Sequence, residues 1–304
     1  MNKKKALQLY GPVIGEMTPA EARRRLSHPR YKELSTRTTV PATGKFANFT
    51  WPGGGPPKPW QYTSHAFGFI GAGKKFTGEP LDILNAGDMD SDKSLKNSKV
   101  KVALSRLRVF DYPGGGEHQI LFDFWGQNQL QTQAEDVHFT QTYRVRQGEM
   151  AGIIGYPIFI GLNVSNEGLD FHCHTVNVKN TEDQKMIDFL DGDVFKKGLS
   201  FLNAVNPAVP VVTSFALGIT KAILSRNENI GVQDFFMGLD FSNIPTNARL
   251  AEGAYIAIQV PDPNKWDWTE WVYNPKTGQV GPKSDPTGPV PYNYIIFSVS
   301  KLEA

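Results

Sequence analysis

A single cysteine, Cys173, stands in a chain of 304 residues, which rules out an internal disulfide and leaves the fold to hold itself by packing. Long apolar runs are also missing, and no stretch approaches the ~20 residues that a membrane-crossing helix needs. The chain opens Met1-Asn2-Lys3-Lys4-Lys5, but Gln8, Tyr10, Gly11 and Pro12 interrupt at once, so no apolar signal core follows. These absences predict a protein of the cytoplasm or another intracellular, reducing compartment, with no signal peptide and no transmembrane segment.

Catalytic signatures are scarce as well. Neither a Gly-x-Ser-x-Gly elbow nor a His-Glu-x-x-His pair occurs. Gly68-Phe69-Ile70-Gly71-Ala72-Gly73-Lys74-Lys75 keeps the spacing of a phosphate loop up to its lysine. Lys75 then stands where a magnesium-binding Ser or Thr belongs, and Gly78 and Pro80 follow where a helix should open. A glycine-rich turn is the better reading.

Asp88-Met89-Asp90-Ser91-Asp92 places three carboxylates at alternate positions, as a calcium loop does. Lys93 replaces the glycine and Lys99 the final glutamate of an EF-hand, which excludes that motif. What is left for Asp88, Asp90 and Asp92 is a looser calcium site between loops, helped by Asp262, Asp267 or Asp285. No other cofactor is expected.

His172-Cys173-His174 puts two imidazoles on one strand face and the thiol on the other. Two histidines so spaced can share a metal, but zinc asks for further ligands. Asp170 lies roughly 13 Å from His174 along an extended backbone, too far to close on the same ion. With Leu169, Phe171 and Cys173 forming an apolar face, His172 and His174 are expected to face solvent. Cys173 is expected to pack as a small apolar residue.

What the chain does have is alternation. Within 137–146, Val137, Phe139, Tyr143 and Val145 share one parity. His138, Thr140, Thr142, Arg144 and Arg146 share the other, and Gln141 is the only polar residue in the first set. One dry face and one wet face mark an antiparallel strand. Strands are also predicted at 66–71, 81–84, 100–110, 119–125, 157–164, 169–178, 254–260, 268–273 and 292–299. Tyr112-Pro113-Gly114-Gly115-Gly116 reads as a hairpin connection and Asn274-Pro275-Lys276-Thr277-Gly278 as a turn. Helices are predicted from Thr181 onward, over 193–202 and over 211–224, the last with an apolar stripe.

Net charge is near balance at +2, but residues 1–45 hold ten Lys and Arg against Glu16, Glu21 and Glu33. That formal +7 leaves about −5 on the rest of the chain. Thr18-Pro19-Ala20-Glu21 is a capping box with proline at the first helical position, predicting a short helix over 19–26. The run from Trp51 to Trp60 carries four prolines and three glycines and reads as a linker. The expectation is a basic arm at 1–60 and one domain at 61–304. The domain is mainly β, an antiparallel sandwich of jelly-roll or C2-like kind with a helical insertion at 181–226.

Three functions fit this outline. The first is a non-catalytic interaction module that binds a protein partner or a membrane surface. Its contacts would be an aromatic loop, Trp266, Trp268, Trp271 and Tyr273, and a basic arm, Lys3, Lys4, Lys5, Arg23, Arg24 and Arg25, able to meet anionic lipid or nucleic acid. If the aromatic segment is extended, Trp266 and Trp268 share one face and Trp271 and Tyr273 the other. The second is a self-associating subunit of a shell or capsid, and the third a metal-dependent hydrolase using His172, His174 or the loop aspartates.

Overall fold

The computed structural model describes residues 10–27, 31, 58–73, 78–130, 134–179, 183, 186–187, 190, 198–202, 208–226, 228–242, 244 and 247–303. Among these, helix α1 spans Pro19–Leu26 and helix α2 spans Ala208–Leu224. Strand β1 (Ser64–Gly71) precedes two short pieces, β2 (Leu81–Asp82) and β3 (Leu84–Asn85). Three long strands follow: β4 (Lys99–Val109), β5 (Glu117–Gln129) and β6 (Ala134–Arg146). Next come β7 (Glu149–Met150), β8 (Tyr156–Asn163), β9 (Gly168–Val178) and β10 (Leu199–Ser200). After α2 lie β11 (Ile230–Asp240), β12 (Ala248–Arg249), β13 (Gly253–Val260), β14 (Trp271–Asn274), β15 (Gln279–Pro282) and β16 (Tyr294–Lys301).

The chain is mainly β, in several sheets, and is not a barrel. Eight strands form one sheet in the order β10-β8-β4-β16-β13-β1-β3, with β7 beside β4. Five form a second, β12-β11-β9-β5-β6, and three a third, β15-β14-β2. The longer pairings are antiparallel, as the alternation predicts.

A phenylalanine layer joins the two larger sheets. Phe124 of β5 meets Phe171 of β9, Phe159 of β8 and Phe297 of β16, with ring centroids 5.2 to 6.1 Å apart. Tilted and edge-on contacts of this kind add about 0.5–1.5 kcal/mol each beyond the area they bury. Cys173 is buried in the same layer. The far side of the eight-stranded sheet is covered by Trp268 and Val280, packed on Ile256, Ile258 and Ile296. Ala216 and Ile223 of α2 cover Leu121 and Val176 on the outer side of the five-stranded sheet.

Several expectations change here. The 193–202 helix is overturned at its end, because Leu199–Ser200 is β10, paired in parallel with β8. The 268–273 strand begins as a 3-10 turn, Trp268–Glu270, capped by Asp267, and becomes β14 only at Trp271. Tyr112 to Gly116 closes no hairpin, because β4 and β5 lie in different sheets and this segment crosses between them. Gly114, Gly115 and Gly116 make that crossing with φ of 100°, 55° and 71°, a region that side chains rarely enter. The turn after Asn274 does join two paired strands, β14 and β15.

The wet face of 137–146 is corrected most. His138, Thr140 and Thr142 are buried, and only Arg144 and Arg146 of that face are exposed. The reason is α2, which lies over β6 and brings Thr220 Oγ1 to 3.3 Å from Thr140 Oγ1. Gln141 donates from its buried amide to the Leu190 carbonyl at 3.0 Å, on a strand at the sheet's edge. The described part of residues 1–60 also packs on the body. Tyr10, Val13, Ile14, Ala22, Leu26, Tyr31 and Trp60 are buried. Most of the 51–60 linker lies outside the described residues.

Candidate functional site

Strand register builds a row of ionisable groups on the outer face of the five-stranded sheet. Asp123 of β5 lies opposite His174 of β9 on one side and Thr140 of β6 on the other. His174 in turn lies opposite Asp234 of β11. Two residues along, the next row holds His138, Trp125, His172 and Phe236. Directly opposed side chains on one face stand ~5 Å apart, close enough to bond.

They do bond. Asp234 Oδ1 accepts from His172 Nε2 at 2.5 Å and from His174 Nδ1 at 3.2 Å. Asp123 accepts from Tyr10 Oη at 2.5 Å and from Thr140 Oγ1 at 2.6 Å. His138 Nδ1 stands 3.8 Å from Asp123 Oδ1, near enough for electrostatic attraction but too far for a hydrogen bond. Tyr10 closes the site from above, its ring stacked on His174 at 4.7 Å and tilted on His172 at 5.1 Å. These contacts fix the protons on His172 Nε2 and His174 Nδ1, leaving His172 Nδ1 and His174 Nε2 buried without a partner.

The charges follow from the packing. Burial alone would raise the Asp234 carboxyl, but the hydrogen bonds from His172 and His174 outweigh it and hold the group well below the usual carboxylate range. Asp123 is likewise lowered, with burial opposed by His138, Thr140 and Tyr10. Burial, then the charge and hydrogen bond of Asp123, push the Tyr10 phenol well up. The Cys173 thiol is raised by burial, so it has no thiolate to act as a nucleophile.

His172 and His174 were expected at solvent, and both are 1% exposed. Central strands with a covered outer face have no wet side, and β9 lies between β11 and β5 beneath Tyr10. Cys173 packs as expected. Asp234, Asp123, His138 and Tyr10 escaped the sequence reading. β11 carries glycine at 231 and 238 and was not recognised as a strand, so Asp234 had no partner to suggest it. A lone acid in the apolar run around Asp123 was the signal available, since a buried carboxylate needs partners.

The loop aspartates do not come together. Asp92 accepts from Ser94 N within its own turn, as Asp262 does from Asn264, Asp267 from Thr269 and Asp285 from Thr287. Asp88 and Asp90 are exposed. Among the described residues, no group of three or more His, Cys, Asp or Glu is placed to hold a metal ion.

The aromatic loop is compact rather than extended. Trp266 stacks on Trp271 at 4.7 Å and 8°, and meets Trp268 and Tyr292 edge-on. This overturns the pairing of Trp266 with Trp268 on one face and Trp271 with Tyr273 on the other. Trp268 is buried, while Trp266, Trp271 and Tyr273 are half-buried. In α1, Arg23 and Arg24 are exposed, and Arg25 donates to the Arg226 and Asn229 carbonyls beyond α2. Lys3, Lys4 and Lys5 lie outside the described residues.

Two clefts adjoin these groups. One of 430 Å³ lies over the ends of β5, β9 and β11, and another of 250 Å³ lies beside the aromatic loop. Among the described residues no helix is long and apolar enough to cross a membrane. No family model, curated protein or solved structure matches the chain.

Proposed function

We propose that the chain is a non-catalytic interaction module, a β-sandwich of jelly-roll or C2-like kind, engaging a protein partner or membrane surface through its loops and basic N-terminal segment. One observation carries this reading. Of the groups able to do acid–base chemistry, His172, His174 and Asp123 are buried beneath Tyr10 and Asp234 keeps only a fifth of its side chain exposed, whereas the recognition-type side chains of the 266–273 loop border an open cleft. A catalytic acid or base must reach its substrate's proton, and an interface needs accessible aromatic and apolar side chains. Arg23 and Arg24 add exposed positive charge beside the body.

Panning a peptide library on the full chain tests the protein arm, and flotation with phosphatidylcholine vesicles, with and without phosphatidylserine, tests the lipid arm. Binding that weakens tenfold or more in a Trp266→Ala/Trp271→Ala or an Arg23→Ala/Arg24→Ala variant is expected. No binding in either format, together with zinc- or calcium-dependent turnover of ester or phosphoester probes, overturns the reading in favour of a metal-dependent hydrolase.

A second reading, self-assembly into a shell, draws on large apolar side chains left outside. Ile154 is 83% exposed, and Leu84, Leu202, Phe215 and Ile244 are more than half exposed. Apolar side chains left outside are what contact between copies would cover. Light scattering across concentration separates the two readings, since assembly gives a mass that climbs and a module stays monomeric.

A further inference from the structure

The two clefts adjoin, since Phe67, Asn247 and Ala248 line both. The larger runs along β11 from Phe236 to Asp240, a path of about 13 Å. Its 430 Å³ falls among the sizes of small-molecule sites, about 300–1,000 Å³. Its floor is aromatic. Phe236 lines the cleft and lies flat on His172, with ring centroids 4.1 Å apart at 13°. Gly238 leaves the space next to it open, and any Cβ there would come to 3.2 Å from Asp170 Oδ1.

The polar rim has spare capacity. Among the described residues, the carboxylates of Asp170 and Glu167 accept no hydrogen bond and join no ion pair. In the second cleft, His65 is nine-tenths buried and its Nε2 has no hydrogen-bond partner. Trp266 lines that cleft too, so an aromatic surface and an imidazole Nε2 without a partner stand at the second end. Not one Lys or Arg is among the described lining of either cleft. Phosphates, nucleic acids and acidic lipid headgroups therefore find no counter-charge among the described lining.

We infer that the adjoining clefts bind a neutral oligosaccharide, with sugar rings stacked on Phe236 and beside Trp266 and hydroxyls bonded by Asp170, Glu167 and His65. The C–H face of a sugar suits an aromatic face, and its hydroxyls suit carboxylates and amides that have lone pairs to spare. The site gives the interaction-module reading a ligand class, rests on that reading only for its non-catalytic character, and holds whichever macromolecule carries the glycan.

Titrate the full chain with cellohexaose, laminarihexaose, maltohexaose, xylohexaose, mannohexaose and chitohexaose, reading saturation-transfer NMR and calorimetry, with oligolysine and a heparin hexasaccharide alongside. At least one neutral hexasaccharide should bind, and Phe236→Ala and Asp170→Ala should each weaken it tenfold or more. Gly238→Val, which fills the cleft on an exposed strand position, should abolish binding without lowering the melting temperature, and Phe236→Tyr should restore it. Binding of oligolysine alone, of heparin alone, of no glycan, or of a glycan untouched by Gly238→Val overturns the inference. Chromatography of the same mixtures separates the two claims, because cleavage of a bound glycan leaves the site standing and overturns the non-catalytic module.

Discussion

Asp234 carries the most consequence of any single side chain here, because two histidines depend on one of its oxygens. Asp234→Asn removes the charge and should cost about 3 kcal/mol at neutral pH, the scale for breaking a buried pair. Its folded carboxyl is lowered, so its contribution is present above the ordinary carboxylate value and is lost as pH falls towards the folded one. Urea midpoints from pH 7 to pH 3 should show the variant losing less than the parent below about pH 4. His118 acts in a different window. Burial, aided by the Lys179 charge, pulls it down to about 4, so the unfolded chain takes up a proton first. Stability should fall by up to ~3 kcal/mol between about pH 6.5 and pH 4, then level off. His118→Leu should shrink the fall over that interval without abolishing it, since burial also pulls His65 down to about 4, and should leave the lower interval unchanged.

At the scale of elements, the stretch that enters at Tyr10 acts as a cover for β9 and β11. Tyr10→Ala deletes the stacking on His174 and the bond to Asp123, and should cost about 3 kcal/mol, as other large-to-small core changes do. Hydrogen exchange should then rise in β9 and β11, while β4 and β16 in the other sheet keep their protection. Tyr10→Phe keeps the stacking but leaves an Asp123 oxygen unpaired, at about 2 kcal/mol. Strand identity was largely legible in the sequence, since alternation marked β4, β5, β6, β8, β9, β13 and β16 within a few residues. Which face is wet was not legible. Alternation describes one strand, but the cover over His138 and Thr140 comes from α2, eighty residues away from Thr140 in sequence. The His–Asp site was half visible for the same reason. The spacing of His172 and His174 was in the sequence, but their partners reach them only through the pairing of β9 with β11 and β5.

Across the whole molecule, strands distant in sequence interleave. β4 and β13 are separated in the eight-stranded sheet by β16, the last strand in the chain's order. Deleting 294–301 should therefore do more than trim an edge. It strips both neighbours of a hydrogen-bonded partner and removes Phe297 from the aromatic layer. A broad, non-cooperative thermal transition is expected for that deletion, against a single sharp one for the full chain by calorimetry.

The central place of β16 also bears on synthesis. A nascent chain can close the β5–β6 hairpin as soon as both strands leave the ribosome, because that pairing is local. The two halves of the larger sheet, β8 with β4 and β13 with β1, must wait with bare edges until β16 emerges to join them. For that interval the growing polypeptide carries two open strand edges, the kind of surface that invites pairing between neighbouring chains. Slow translation after β13 would prolong the exposure, so yield in the cell should depend on chaperone supply more than on the stability of the finished protein.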